Sequence, residues 1–229
     1  KVTVYYTVLS VPLGMLVAFC AALLLNQKIP AVGVFRTVYY LPSIVPFVAG
    51  ALLWQWLLNP EFGIVNYFLF KFVGIRGPGW FFSDEWVIPA FVLMSLWGIG
   101  QPMVIYLAAL QGVPLELYEA AEIDGAGSWR KLWNITIPMI SPVILFTLII
   151  GIIGSFQVFT PIYVVTGGQG GPNYASLVYV LYLFQQAFRN FRMGFASAQA
   201  WILFLIILGL TLWLLRTSRS WVHYEGADR

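Results

Sequence analysis

Three side chains that can exchange hydrogen bonds lie deep inside apolar sequence: Gln101, Ser155 and Gln157. Aromatic rings stand beside them, Trp97 one helical turn before Gln101 and Phe156 between the other two. An amide both donates and accepts, a hydroxyl does the same, and a ring face covers weakly polar carbon. Such a set can hold a polar solute. Gln and Ser also join helices to one another in apolar surroundings, so both readings stand at this point.

A second concentration of polar chemistry lies between two apolar runs, LYEAAEIDGAGSWRKLWNITIP, residues 117–138. Pro114 suits the first position of a helix and Gly125 its end. At about 100° per residue, Glu116, Glu119 and Glu122 fall within an arc of about 120°. Leu117, Tyr118, Ala120 and Ala121 cover much of the other side, and the Ala pair lets another surface come close to the backbone. Asp124-Gly125 reads as a helix-terminating turn. Ser128 is expected to N-cap a second short helix, 129–136, and Pro138 to begin the next apolar span. The anionic inner leaflet repels a face of three acids. Docking to a basic groove on another protein is therefore favoured over a loop lying on lipid headgroups.

Other chemistry finds no residues to perform it. Asp, Glu, Lys and Arg are absent from 2–27, 37–60, 86–115, 132–188 and 193–215. Proton-coupled carriers place ionisable groups at membrane depth. Intramembrane proteases need a buried Asp pair, or Ser with His. No G-x-x-x-x-G-K-[ST] occurs, so a P-loop of the chain's own is excluded. Cys20 is the single cysteine and forms no internal disulfide. His223 has no second His or Cys nearby to build a metal site. Sodium held by backbone carbonyls leaves no charged signature and stays open.

The elements that position these residues follow from composition. The chain is 60% hydrophobic and 9% charged, with mean hydropathy +0.84, against roughly 25% charged in soluble domains. It reads as an integral membrane protein. The net charge of +3 and pI of about 9.0 do not indicate nucleic acid, because the basic residues sit at the ends of apolar runs and form no stripe. Spans are expected at 3–25, 36–58, 87–111, 138–163 and 197–216. They should be helical because lipid satisfies no backbone group. The stretches 62–73 and 176–188 are too short to cross and read as interfacial or re-entrant helices. RGPGW and TGGQGGPN are loop chemistry. The fold class expected is an all-α polytopic bundle.

Orientation follows from Lys and Arg. Lys28, Arg36, Arg130, Lys131, Arg216, Arg219 and Arg229 fall on one side, read as cytoplasmic. Lys1, Lys71, Arg76, Arg189 and Arg192 fall on the other. This leaves the N-terminus outside and directly at a span, with no basic region or cleavage site of a signal peptide before it. An upstream helix is expected.

The polar stretch resembles the EAA loop of ABC-transporter permeases of binding-protein-dependent importers: Glu119-Ala120-Ala121, then Gly125 in the form Asp124-Gly125-Ala126, then Ile135-Thr136-Ile137-Pro138. The segment VVTGGQGGP and the tail from FRNFRMGFASAQAW to WVHYEG look like the carbohydrate-uptake subgroup. The resemblance implies one transmembrane domain over 1–229 of the type I importer permease kind, with five spans here and a sixth preceding them. It implies a coupling loop at 112–137 that seats Glu119, Ala120, Ala121, Asp124, Gly125 and Ala126 in a cleft of a cytoplasmic ATPase subunit. It further implies two copies of that ATPase, a second permease, an extracytoplasmic solute-binding protein, and residence in a bacterial or archaeal inner membrane. No cofactor is expected in this chain, ATP and Mg being held by the ATPase subunits. By the same resemblance Trp97, Gln101, Ser155, Phe156 and Gln157 fall close to positions that line a sugar path. A stand-alone secondary carrier or channel, and a membrane scaffold, are the alternatives.

Gly151 and Gly154 are expected to allow close helix packing. Pro102, Pro142 and Pro161 are expected to kink or break helices. Trp80 and Trp86 are expected as interfacial anchors.

Overall fold

The computed structural model describes residues 1–27 and 30–222. Lys28, His223 and Arg229, along with most of the WVHYEG tail, lie outside the described residues. Every regular element among the described residues is helical.

Helix α1 (Val2–Leu25) carries no charge and matches the first expected span. Its Ala18, Ala21 and Ala22 are buried, so neighbouring helices close directly on its backbone. Chain 36–58 does not form the single span expected. It divides into α2 (Val32–Tyr40), a 3-10 turn (Leu41–Ile44) and α3 (Phe47–Leu57), with 100° between the two arms. The cause is local. Pro42 and Pro46 donate no N–H, and Val45, preceding a proline, is pushed extended at φ −65° and ψ 128°. A short α4 (Ile64–Phe68), continued by a π turn (Leu69–Val73), follows in the expected interfacial stretch.

The third expected span is also bent. Helices α5 (Val87–Trp97) and α6 (Gly100–Gln111) meet at 50°. Pro102 lacks the N–H that would bond the Gly98 carbonyl, so the ladder opens there.

After α6 come α7 (Leu115–Ile123) and α8 (Ser128–Lys131). A π turn (Leu132–Thr136) then leads into α9 (Ile137–Met139). Pro138 therefore lies within a helical stretch instead of opening the span. The widened turn before it relieves the clash between its ring and the carbonyl of Asn134. The span proper begins with α10 (Ser141–Phe156), where Pro142 occupies the first turn without kinking anything. It continues, after a break at 157–159, as α11 (Thr160–Thr166). Helix α12 (Tyr179–Phe184) runs into a π turn (Gln185–Arg189), and α13 (Met193–Ser218) is the last span.

Two buried clusters mark the two ends of the bundle. At one, Ala18, Ala21, Ala22 and Leu25 of α1 pack on Met103, Tyr106, Leu107 and Leu110 of α6 and on Ile140. The loop 112–140 and α2 therefore share that end, and Arg36 donates to the carbonyl of Leu25 at 3.4 Å. At the other, Tyr6 meets Leu58, Phe81, Ile88, Ile162 and Leu181. There Trp80 and Trp86 stand edge to face at 5.6 Å, and the Trp80 indole donates to Asn66 Oδ1 at 2.7 Å.

Candidate functional site

Breaks in three helices converge on one cavity. Residues of the 42–47 turn, of the Gly98–Pro102 bend and of the 157–161 break all line a space of about 590 Å³, closed on one side by α1. Lipid gives no partner to a freed backbone carbonyl, so broken helices persist at depth only where they face protein or a cavity. Here the breaks and the cavity coincide.

Of the residues singled out from sequence, Trp97, Gln101, Ser155 and Gln157 line this cavity. Trp97 ends α5 and stands edge to face with Trp54 at 6.2 Å. Gln101 opens α6. Gln157 follows the last residue of α10, and its exposed amide faces the space. Ser155 is buried and donates to the Ile152 carbonyl at 3.0 Å, which leaves its oxygen lone pairs for a further donor.

Phe156 does not join them. It lies on the far side of α10, packed with Leu203 and Ile207 of α13. The reason is helical geometry: one residue is a 100° rotation, which carries Phe156 away from the wall that Ser155 occupies. Gly151 and Gly154 also part company. A Cβ on Gly151 would meet Val11 of α1 at 3.2 Å, so this glycine sets a close approach. A Cβ on Gly154 would meet nothing within 4 Å, because it faces the open cavity.

Sequence reading missed the contributions of α1 and of the 42–47 turn, including Ser10, Gly14 and Ser43. The Pro42–Pro46 spacing was the available signal for the second. No signal marked the first, since α1 reads as apolar on all sides. Among the described residues, none that lines the cavity carries a charged side chain. Toward the α2 end, Tyr106 and Thr147 form a buried hydroxyl pair at 2.6 Å. Thr147 donates to carbonyls of its own helix at 3.0 Å, so Tyr106 donates to Thr147.

At that same end, α7 projects from the bundle. The carbonyl of Ala121 accepts from Ala126 N–H at 2.8 Å, and that of Glu122 from Gly125 N–H at 3.0 Å. This paired closure needs a left-handed residue, and Gly125 supplies it at φ 73°. Glu119, Ala120, Asp124 and Gly125 are exposed, and Ala121 and Ala126 half-buried. Lys131 donates to Glu122 at 2.6 Å, and Tyr118 and Thr136 hydroxyls meet at 2.9 Å. These two contacts fix α7 against the 128–139 stretch. The Lys131 ammonium, by hydrogen bond and then by charge, holds the Glu122 carboxyl below its ordinary range. Ser128 does not cap: Gly127 occupies that position, and no side-chain bond closes the helix start. Ile123, 88% exposed, is the feature missed here. An isoleucine directly before Asp-Gly in a polar loop was its signal.

Comparison with known proteins agrees with this architecture. Residues 10–224 match the family described as "Binding-protein-dependent transport system inner membrane component". The chain belongs to that family, and it is a membrane-spanning permease subunit of an ABC importer. It is 40% identical over 230 residues to the "Probable ABC transporter permease protein YesP" of Bacillus subtilis, covering 100% of this chain and 74% of that one. It is 38% identical over 214 residues to the lactose transport system permease protein LacF of Rhizobium radiobacter, covering 91% and 71%. Among solved structures, a chain of a bacterial alginate ABC transporter, in complex with its alginate pentasaccharide-bound periplasmic protein, superposes with a TM-score of 0.86 at 26% identity. That match covers 96% of this chain and 77% of the other.

Proposed function

We propose that the chain acts as one transmembrane domain over 1–229 and forms half of the path by which a sugar or sugar derivative enters the cell. Its work comes from a cytoplasmic ATPase. The observation that carries this reading is the cavity at the three helix breaks, lined by amides, hydroxyls and Trp97, in a chain with no fuel-binding motif. A similar permease completes the path, two ATPase subunits hold ATP and Mg, and an extracytoplasmic protein delivers the solute. The end bearing α7 faces the cytoplasm of a bacterial or archaeal cell, in keeping with its basic residues. The segment Glu119–Ala126 seats in the ATPase and transmits its closure, and the broken helices re-aim the cavity between two states. Its relatives include permease proteins of lactose, trehalose/maltose and sn-glycerol-3-phosphate transport systems, which supports the sugar class.

The test is reconstitution of the chain with its companion subunits in proteoliposomes. Sugar-dependent uptake that requires both ATP and the binding protein supports the reading. Concentrative uptake by the chain without any nucleotidase overturns it.

A further inference from the structure

We infer that the helix Ile64–Val73, α4 with its π turn, is a docking site for anionic phospholipid: its rings lie in the headgroup layer, and Lys71 and Arg76 take the lipid phosphate. The leaflet is the extracytoplasmic one, since α4 lies at the end of the bundle opposite α7. Only that choice of leaflet rests on the orientation proposed above.

One side of this helix is fixed to the bundle. Val65 packs against the buried cluster around Leu58 and Phe81. The Asn66 side chain, 7% exposed, donates to the carbonyls of Pro60 and Pro78 at 3.4 Å and accepts from the Trp80 indole at 2.7 Å. A Cβ on Gly77 would fall on that amide, so the glycine lets the 74–80 loop close over it. The clamp sets the helix beside the Trp80–Trp86 pair. Tryptophans of this kind mark the level at which hydrocarbon gives way to headgroups.

The rest of the helix has little protein cover. Tyr67, Phe68, Phe70 and Phe72 are all exposed, Phe72 by 74%. Phe68 stacks on Phe72 at 5.8 Å and meets Tyr67 edge to face at the same distance. The Lys71 ammonium lies 5.6 Å from the centre of the Tyr67 ring and 6.0 Å from that of Phe72, so the cation is held within the ring cluster. A cluster this open calls for a cover, and its composition says which. Lys is depleted from the centres of protein interfaces. Rings around a Lys suit a bilayer surface, with the apolar bodies turned inward and the cation at the phosphates. Arg76 follows on the same exposed stretch, 70–76. Among the described residues neither cation is in a salt bridge, so both charges are available to an anion.

The experiment uses the full complex in phosphatidylcholine vesicles, with a neutral fluorophore on Phe70→Cys in a Cys20→Ala background. The vesicles carry a small fraction of nitroxide-labelled phosphatidylcholine or nitroxide-labelled phosphatidylglycerol. A nitroxide near the glycerol should quench more than one at the chain end, which places residue 70 at the interface. At equal fraction, phosphatidylglycerol should quench more than phosphatidylcholine, its local enrichment being about fivefold for each basic residue engaged. Lys71→Gln combined with Arg76→Gln should abolish that preference, and Lys71→Arg should retain it. Equal quenching by the two lipids in the otherwise unaltered chain overturns the site. Quenching by aqueous iodide alone, or by none of these, also overturns it, because the helix then stands in water or lies under another protein subunit. Uptake is not read, so the site stands or falls independently of the sugar path.

Discussion

Lys131 Nζ lies 2.6 Å from Glu122 Oε1, a contact that reaches from one side of the Asp124-Gly125 turn to the other. Glu122 is exposed, so solvent screens the pair, and it should add little to overall stability. Its role is to hold the turn shut. Because its pKa is lowered in the folded chain, the contribution is present above the carboxylate's ordinary pKa and is lost as pH falls through the depressed value. Hydrogen exchange at Gly125–Lys131 should quicken in Glu122→Gln at neutral pH, and the difference from wild type should vanish in acid. Equal exchange at neutral pH would show that the turn needs no such clasp.

The projecting surface of α7 gives a second prediction. Ile123→Asp places a charge where no packing exists to be lost, so membrane insertion should be unchanged. Yield of the ATPase subunit on copurification should fall severalfold. Gly125→Trp and Glu119→Arg should likewise insert and assemble but uncouple uptake from ATP hydrolysis. Residue 125 must adopt φ 73°, which costs an L residue about 1 kcal/mol. Gly125→Asn, tolerant of that conformation, should retain more coupling than Gly125→Ala. Normal uptake and ATPase stimulation in Gly125→Trp would refute docking through this turn.

Gln101→Leu and Gln157→Leu keep side-chain bulk but remove the amides from the cavity wall. Each should lower sugar uptake about tenfold, as expected when a polar ligand loses one partner. Phe156→Leu should leave solute preference alone and lower thermal stability, by about 1 kcal/mol for a small loss of buried volume against α13. A changed sugar preference in Phe156→Leu would contradict its position behind the wall.

The buried hydroxyl pair between α6 and α10 can be weighed directly. Tyr106→Phe, Thr147→Val and the double variant form a cycle whose coupling energy should be about 0.6 kcal/mol, ordinary for hydrogen bonds between helices in lipid. Additive losses would mean that each hydroxyl serves only its own helix.

Most spans and loops were legible because charge is so scarce: the gaps 2–27, 86–115, 132–188 and 193–215 each hold a helix, or a bent pair, long and apolar enough to cross. The α7 turn was legible because Asp-Gly ends helices by a local backbone rule, needing nothing from the rest of the chain. Straightness was not legible for 36–58. Its apolar length argued for one crossing, and the effect of Pro42 and Pro46 on Val45 decided otherwise. Half of the candidate site was visible because Gln101 and Gln157 stand out against apolar neighbours. Ser10 and Gly14 did not, because one hydroxyl and one absent side chain on a uniformly apolar helix acquire meaning only when other elements leave space beside them. Phe156 was misassigned for want of a rotation angle, since adjacency in sequence places residues on different sides of a helix.

The bends at Pro42–Pro46 and Gly98–Pro102 and the break at 157–159 sit around one space. Were the chain to rearrange, the hinges would already exist, beside whatever fills the middle. Segments above and below could swivel separately while the central floor stayed still. Passage through the bilayer would then ask for little fresh disruption of main-chain bonding, and a passenger could stay in place while the doors on either side of it changed.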